Sequence, residues 1–172
     1  MIQNLMAYEE AGYKVVHKGE NFEIRYYEER IVIQTRYESG NSGFRKLFNY
    51  ISGQNQGGKK IEMTTPVTEL QDDNQMVMQF YLPARFNASS APLPADNSLE
   101  IATIDAGYFA VIQYSGFASN KNFYKHAQIL KSSLERDNIN ISSQPIKATY
   151  DGPFTLPNLR RNEAMYLVLW DK

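Results

Sequence analysis

The stretch Gly43-Phe44-Arg45-Lys46-Leu47-Phe48-Asn49-Tyr50-Ile51 marks the point where this chain changes from strand to helix. Its apolar residues recur at i, i+3, i+4 and i+7, the spacing of one face of an amphipathic helix; they are Phe44, Leu47, Phe48 and Ile51. Residues 22–37 instead alternate their side chains with a period of two, as strands do. The break at 28–30 predicts the turn of a hairpin. Gly53 is expected to end the helix.

The same order of elements then recurs downstream. Strands are predicted at 61–70 and 75–82, with a turn at 72–74 between them. Residues 83–97, rich in Ala, Ser, Asn and Pro, form the longest irregular connection. The pattern of the second half predicts a hairpin of strands 99–105 and 109–115. A helix follows, with Phe123, Ala127, Leu130 and Leu134 on its apolar face, and then strands at 146–150 and 165–170.

These patterns predict an α+β protein. We expect a single domain over 1–172 that contains two pseudo-repeats, at about 13–83 and 98–170. Two antiparallel sheets, each carrying one amphipathic helix, can bury their apolar faces together and close into a barrel-like unit. A ligand would then lie at the seam between helix and sheet or in the cleft between the halves.

Composition excludes several classes of function. Lys+Arg number 18 and Asp+Glu number 19, so charge gives no case for a nucleic-acid or membrane-surface partner. Cysteine is absent, which excludes disulfides, thiolate catalysis, Cys-ligated zinc and iron–sulfur clusters. No signal peptide is visible, and no apolar run approaches the roughly 18 residues of a membrane span. We therefore predict a cytoplasmic protein.

Two segments stand out as recognisable motifs. The first is residues 60–67, Lys-Ile-Glu-Met-Thr-Thr-Pro-Val, directly after the helix and a Gly-rich loop. The second is residues 150–153, Tyr-Asp-Gly-Pro, followed by Arg-Arg-Asn-Glu at 160–163. Neither segment contains a nucleophile–base pair or a cluster of metal ligands. Their chemistry alone therefore assigns no reaction.

The ordered set of motifs nevertheless resembles the SOUL haem-binding protein family over residues 13–170. The matching segments are 22–27 (FEIRYY), 43–51, 53–55 (GQN), 60–67, 80–83 (FYLP), 92–94 (PLP), 114–117 (YSGF), 150–153 and 160–163. This resemblance implies a distorted antiparallel β-barrel of two similar halves, each with one helix. It also implies binding of haem or a related tetrapyrrole, in some members without a fixed axial ligand.

The family's binding residues carry over unevenly. One branch ligates iron through a His directly after Glu-Ile-Arg, where this chain has Tyr26. Another branch uses apolar and basic residues on the first helix and in the loop before Arg160; the matching positions here are Phe48, Asn49 and Thr155. The basic groups that would pair haem propionates are absent from those positions. Their substitutes could be Lys46, Lys59, Lys60, Arg160 or Arg161.

Each candidate has a structural alternative. Tyr26 could ligate ferric iron as a phenolate, but a core tyrosine on the face of Phe22 and Ile24 is the expected role. Phe44 and Phe48 could form a flat wall for a porphyrin. Packing of the helix on the sheet is their expected role, and a partly exposed edge of the apolar face, which Ile51 continues, could do both.

The remaining candidates also favour structural roles. His17 and His126 each lack a second ligand nearby in sequence, so both are expected to be ordinary boundary residues. Met63 could offer a thioether to iron, although a strand Met usually fills core space. Arg160 could bind a propionate, yet we expect Arg160 and Arg161 to pin the last loop to the barrel.

The leading hypothesis is a non-enzymatic carrier, buffer or sensor that binds haem or another tetrapyrrole in a hydrophobic groove by the first helix. One alternative is an enzyme that dechelates or hydrolyses a tetrapyrrole or a small hydrophobic ligand, with Glu62 and Glu163 as the first suspects. The other alternative is a protein-interaction module that has lost ligand binding. No protein partner is identifiable from the sequence.

Overall fold

The computed structural model describes residues 8–38 and 42–171, which form two helices packed on a curled antiparallel sheet. The helices are α1 (Ser42–Ile51) and α2 (Asn120–Arg136), with a 3₁₀ turn at Pro157–Leu159. The strands are β1 (Glu9–Glu10), β2 (Tyr13–Lys18), β3 (Glu23–Tyr27), β4 (Arg30–Tyr37), β5 (Thr64–Thr65), β6 (Val67–Asp72), β7 (Gln75–Tyr81), β8 (Leu99–Ile104), β9 (Gly107–Tyr114), β10 (Asn140–Ile141), β11 (Ile146–Thr149) and β12 (Asn162–Leu169).

The main sheet runs in the order β2-β3-β9-β12-β11-β6-β7-β4-β8, and β10 also pairs with β12. Its neighbouring strands are antiparallel throughout, while β1 and β5 form a small parallel pair beside it. The sheet curls into a half-barrel, so the predicted α+β class and distorted antiparallel barrel are confirmed. The strand predicted from 165–170 is β12, which lies inside the sheet between β9 and β11.

Two predicted hairpins are wrong: the one with its turn at 28–30 and the one formed by strands 99–105 and 109–115. Strand β3 pairs with β2 and β9, whereas β4 pairs with β7 and β8, so the break at 28–30 joins two distant parts of the sheet. Strands β8 and β9, on either side of the break at 105–106, do not pair with each other either. Strand β8 pairs with β4, and β9 pairs with β3 and β12. Alternation tells which face a side chain occupies, and a break tells where the chain bends, but neither identifies the partner strand. The hairpin predicted at 72–74 does form, with Asp72 opposite Gln75.

Each helix covers one half of the sheet. Helix α2 buries its predicted stripe, Phe123, Ala127, Leu130 and Leu134, against β9 and β12. Helix α1 buries Leu47, Tyr50 and Ile51 against β4 and β7, and Tyr50 Oη donates to Pro92 O at 2.6 Å. Gly53 follows the end of α1 with φ of 120°, a left-handed conformation that glycine adopts without a Cβ clash.

The two halves exchange strands between sequence repeats. Strand β3 from the first half of the chain joins β9, β12 and β11, while β8 from the second half joins β4, β7 and β6. This crossing ties the halves into one sheet. The repeat bounds 13–83 and 98–170, and the single domain over 1–172, stay predictions.

Candidate functional site

Helix α1 presents an exposed aromatic pair. The rings of Phe44 and Phe48 lie nearly parallel, 12° apart with centroids at 6.2 Å, and the side chains are 44% and 49% exposed. The other edge of Phe44 contacts Phe80 of β7 in a T-shaped arrangement at 5.1 Å. The pair thus helps to pack α1 on the sheet and also leaves a flat apolar surface open.

The loop 150–161 carries a second set of exposed apolar side chains. Thr149 at the end of β11 pairs with Val67, and Val67 pairs with Phe80, the residue under Phe44. The loop therefore leaves the sheet two strands, or about 10 Å, from the ring that Phe44 contacts. Its exposed apolar side chains are Phe154, which is 98% exposed, Leu156 and Leu159.

Hydrogen bonds hold this loop in shape. The guanidinium of Arg160 donates from Nε to Thr155 O at 2.8 Å and from Nη2 to Pro153 O at 2.9 Å. The N–H of Gly116 donates to Pro157 O at 2.8 Å, which fastens the loop to the end of β9. The structural role expected for Arg160 is thus visible in the contacts, and a propionate role would have to compete with them.

Removing the Arg160 side chain should increase the local opening of the loop more than it lowers the global stability of the protein. We expect Arg160→Gln to lower the free energy of unfolding by only about 1–2 kcal/mol, because both hydrogen bonds lie at or near the surface, where water replaces the lost donor. Amide hydrogen exchange over residues 153–159 should nevertheless accelerate, since two carbonyls lose their donor. Unchanged exchange there would contradict the pinning role, and exchange in α2 serves as the internal control.

The segment after α1 packs against the core beneath the helix. Met63 and Val67 are partly buried against the core cluster under α1. Ile51 is buried in that cluster, and Asn49 is half-buried on the helix. The N–H of Ile61 donates to Ile51 O at 2.8 Å, which places Lys60 beside the C-terminal end of α1.

Two of the five basic candidates, Lys59 and Lys60, are exposed. Lys46 donates to Ser98 Oγ at 2.9 Å, and Arg161 pairs with Glu10 and Glu163. Lys59 and Lys60 are exposed, and the described residues offer neither of them an ion pair.

Tyr26 lies away from the α1 residues. Its ring tilts against Tyr108 at 5.1 Å, and it lines a cavity of about 710 Å³ at the mouth of the barrel. None of the residues of α1 lines that cavity. The structure therefore joins Phe44 with Phe48 on α1, and Ile51 with Met63 in the core cluster beneath the helix, and it sets Tyr26 apart. Thr155 and Arg160 lie on the loop 150–161 and contact each other.

The two histidines occupy aromatic contacts. His17 lies 5.0 Å from the ring of Trp170, and His126 stacks on Tyr114 at 4.0 Å with its Nδ1 2.8 Å from Asn122 O. Within residues 8–38 and 42–171 no group of three or more His, Asp or Glu side chains could hold a metal ion. In the same residues no helix is long and apolar enough to cross a membrane.

A buried charge cluster lies inside the barrel and was missed at the sequence level. Glu163 is fully buried, and both of its oxygens accept from Arg25, at 2.9 Å each. Tyr150 Oη donates to Glu163 Oε2 at 2.8 Å, while Arg161 donates twice to Oε1. Arg161 also forms a two-point ion pair with Glu10, which ties β1 to the cluster.

The cluster shifts the pKa values of its members. Burial would lower the pKa of Arg25, but the hydrogen bonds and charge of Glu163 raise it above its ordinary value. Burial, together with the charge of Glu163, raises the pKa of Tyr150 far above that of a free tyrosine. Burial also raises the pKa of Tyr27 to about 12, against the opposing influence of Arg25.

These contacts bear on the acids suspected of catalysis. Both carboxylate oxygens of Glu163 accept hydrogen bonds from Arg25, Arg161 or Tyr150, so structural donors occupy them. Glu62 is exposed and pairs with Arg85 at 2.6 Å, and a backbone hydrogen bond and this arginine lower its pKa. Neither arrangement favours the enzyme alternative.

Comparison with known proteins agrees with the fold and the motifs. Heme-binding protein 1 from Xenopus laevis is 29% identical over 173 residues, covering 90% of this chain and 89% of that protein. Heme-binding protein 2 from Homo sapiens is 26% identical over 163 residues, covering 86% of this chain and 78% of that protein. The crystal structure of the EcmrR C-terminal domain has the same fold, with a TM-score of 0.63 at 17% identity, covering 91% of this chain and 98% of that one.

The model of the SOUL heme-binding protein family matches residues 8–167, which takes in both helices and nearly all of the sheet. This chain belongs to the SOUL heme-binding protein family.

Proposed function

We propose that this protein binds haem or a related tetrapyrrole, as a carrier, buffer or sensor, in the groove between α1 and the loop 150–161. The observation that carries the proposal is the exposed parallel pair of Phe44 and Phe48, with the apolar loop of Phe154 leaving the sheet about 10 Å from the strand under Phe44. Contiguous exposed apolar surface of this kind marks a binding site. The heme-binding proteins to which the chain is similar support the choice of ligand.

The groove's chemistry fits a flat, apolar ring with acidic edges. Phe44 and Phe48 would cover one face of the macrocycle and Phe154 part of the other, with Met63 below as a possible thioether contact. Lys59 and Lys60 would pair with the propionates. Asn49 and Thr155 would line the polar rim, and Arg160 would shape the loop. The bound ring would supply the iron chemistry, while these residues bind and orient it.

Hemin titration of matched variants tests the groove. Full burial of a Phe side chain contributes about 1.5–3 kcal/mol, so completing the burial of two half-exposed rings should contribute roughly half of that for each. The double variant Phe44→Ala, Phe48→Ala should therefore weaken hemin binding about tenfold or more. Tyr124→Ala is the matched control, because Tyr124 lies on α2 with a similar exposure of 50%.

The outcomes are distinct. Saturation near one equivalent with a shifted Soret band, lost in the double variant and kept in Tyr124→Ala, supports the groove. Equal affinity of all three proteins would place the ligand elsewhere. Absorbance that never saturates would remove the binding function itself.

An ester of hemin tests whether the exposed lysines pair with the propionates. Hemin dimethyl ester lacks the propionate charges, so Lys60→Gln should weaken binding of hemin and leave binding of the ester nearly unchanged. Each exposed charge pair contributes only about 0.2–1 kcal/mol, so the expected loss for hemin is severalfold at most. An equal loss for both ligands would assign Lys60 a packing role.

Iron ligation by Tyr26 is a separate proposal. Tyr26 lines the barrel-mouth cavity rather than the groove, so ligation there would require the haem to enter that cavity. Tyr26→Phe should then remove a tyrosinate charge-transfer band from the hemin spectrum. An unchanged spectrum would retire Tyr26 as a ligand. A cytoplasmic location stays a prediction from the sequence.

A further inference from the structure

The cavity lined by Tyr26 also contains an arginine that forms no ion pair with the described residues. The cavity, of about 710 Å³, opens where the turn between β3 and β4 meets the segment after β7. Its apolar lining comes from Ile31, Tyr81, Leu82 and Phe86, together with the ring of Tyr26. Arg30, the first residue of β4, lines the same space. This volume is ordinary for a small-molecule site.

Aromatic rings hold the guanidinium of Arg30. Its Cζ lies 4.1 Å from the ring centroid of Tyr27, 5.1 Å from that of Tyr81 and 5.2 Å from that of Phe109. Such contacts stabilise a cation over the ring faces but satisfy none of its in-plane hydrogen-bond donors. The rings therefore fix the position of the guanidinium and leave its donors unused.

The described residues give Arg30 no acidic partner. Its Nε is buried without a hydrogen-bond acceptor, whereas the neighbouring Arg25 and Arg161 both pair with Glu163. A buried donor without an acceptor is costly, and a charged one more so. An arginine held in place by packing, with its fork open towards a cavity, is suited to receive an anion.

The rim of the cavity restricts which anion fits. Three exposed acids, Glu9, Glu28 and Glu29, and one exposed cation, Lys14, line the cavity with Arg30. A ligand with several negative charges would meet repulsion from these acids. A single carboxylate at Arg30, attached to an apolar body that lies against the inner wall, meets less of this repulsion.

We propose that the barrel-mouth cavity is a second binding site, separate from the α1 groove, for an apolar monocarboxylate whose carboxylate pairs with Arg30. The inference goes beyond the proposed function, because no residue of α1 lines this cavity. Planar aromatic and aliphatic carboxylic acids are the class of ligand that the lining favours.

Two fluorescent probes with one body test the charge requirement. Pyrenebutyrate carries a carboxylate, whereas pyrenebutanol is neutral and otherwise matched. We expect the native protein to bind pyrenebutyrate about tenfold to a hundredfold more tightly, as a charge-assisted hydrogen-bonded pair allows. Equal affinity for the two probes would overturn the proposal without any variant.

Variants then locate the anion. Arg30→Gln should remove the preference for pyrenebutyrate, and Arg30→Lys should retain part of it, because the charge stays while the planar fork is lost. Arg85→Gln is the matched control: Arg85 also stacks on an aromatic ring, that of Phe86, but it pairs with Glu62 on the surface. A loss of preference in Arg85→Gln alone would move the site away from Arg30.

Hemin tests whether the cavity and the α1 groove are separate binding sites. Protein saturated with hemin should still bind pyrenebutyrate, and Arg30→Gln should still bind hemin, which also reports that the variant is folded. Competition between the two ligands, with both lost in Arg30→Gln, would overturn the second site and make the cavity the tetrapyrrole site. Pyrenebutyrate binding without hemin binding would sink the proposed function and leave this one standing.

Discussion

Glu163→Gln should destabilise the fold by about 3–5 kcal/mol, the cost of breaking a buried ion pair by removing one partner. Glu163 accepts five hydrogen bonds, from Arg25, Tyr150 and Arg161, and is fully buried. A glutamine keeps the shape but carries no charge, and its amide group points donors at the guanidinium groups. Among the described residues, the partly exposed Glu23 would then be the one acid that still pairs with Arg25.

Chemical unfolding of matched variants measures this effect. Glu62→Gln is the control, because Glu62 also pairs with an arginine but lies on the surface, where such pairs contribute about 0–1 kcal/mol. Similar losses in the two variants would contradict the structural role of the cluster. In addition, the pair Arg25→Met, Glu163→Leu should lose less stability than Glu163→Leu alone, since no unpaired charge remains at Arg25.

The free energy of unfolding should fall steeply above pH 10. Burial raises the pKa values of Tyr27, Tyr50 and Tyr114 to about 12, and all three side chains are buried. An unfolded tyrosine ionises near pH 10, so between about pH 10 and 12 the folded state binds more protons than the unfolded state. Stability is therefore complete below pH 10 and is lost as pH rises towards 12. Each group contributes up to about 1.4 kcal/mol per pH unit, or roughly 4 kcal/mol per unit together.

Urea unfolding at a series of alkaline pH values checks this slope, and tyrosinate absorbance reports the ionisation. Tyr114→Phe should flatten the slope by up to about 1.4 kcal/mol per pH unit, because one of the contributing groups is removed. Near neutral pH the same variant should be neutral or slightly stabilising, since the buried Tyr114 Oη has no hydrogen-bond partner among the described residues. Tyr124→Phe, on the exposed side of α2, should change neither quantity. A stability that stays flat from pH 10 to 12 would refute the burial argument.

Local patterns were sufficient for the elements and for the family. The stripe of α2, from Phe123 to Leu134, is buried as its spacing predicts, and the run 165–170 forms the inner strand β12. The motif at 160–163 was expected to pin the last loop, and Arg160 and Arg161 make those contacts. These successes share one reason: each depends on residues close together in the chain.

Pairing over long distances was not readable. Strands β3 and β4 follow each other with only two residues between them, yet they belong to opposite halves of the sheet. Arg25 and Tyr27 alternate with Ile24 along β3, and alternation alone did not predict that the side chains on both faces are buried. The signal that could have found the cluster was the presence of Arg25 and Glu163 in two matching family motifs, but their contact spans 138 residues.

The amino-acid sequence by itself determined the class of fold, the two helix faces and the family, because hydrophobic period and motif order are local properties of the chain. The motif at 60–67 and its late partner at 160–163 served to identify the family. Only the tertiary structure decided which side chains meet: Phe44 on Phe80, Glu163 among two arginines, and Arg30 against three aromatic rings without an ion pair to the described residues. These contacts depend on the exchange of strands between the two halves, and the pattern of a single sequence does not show which strands are neighbours in the sheet.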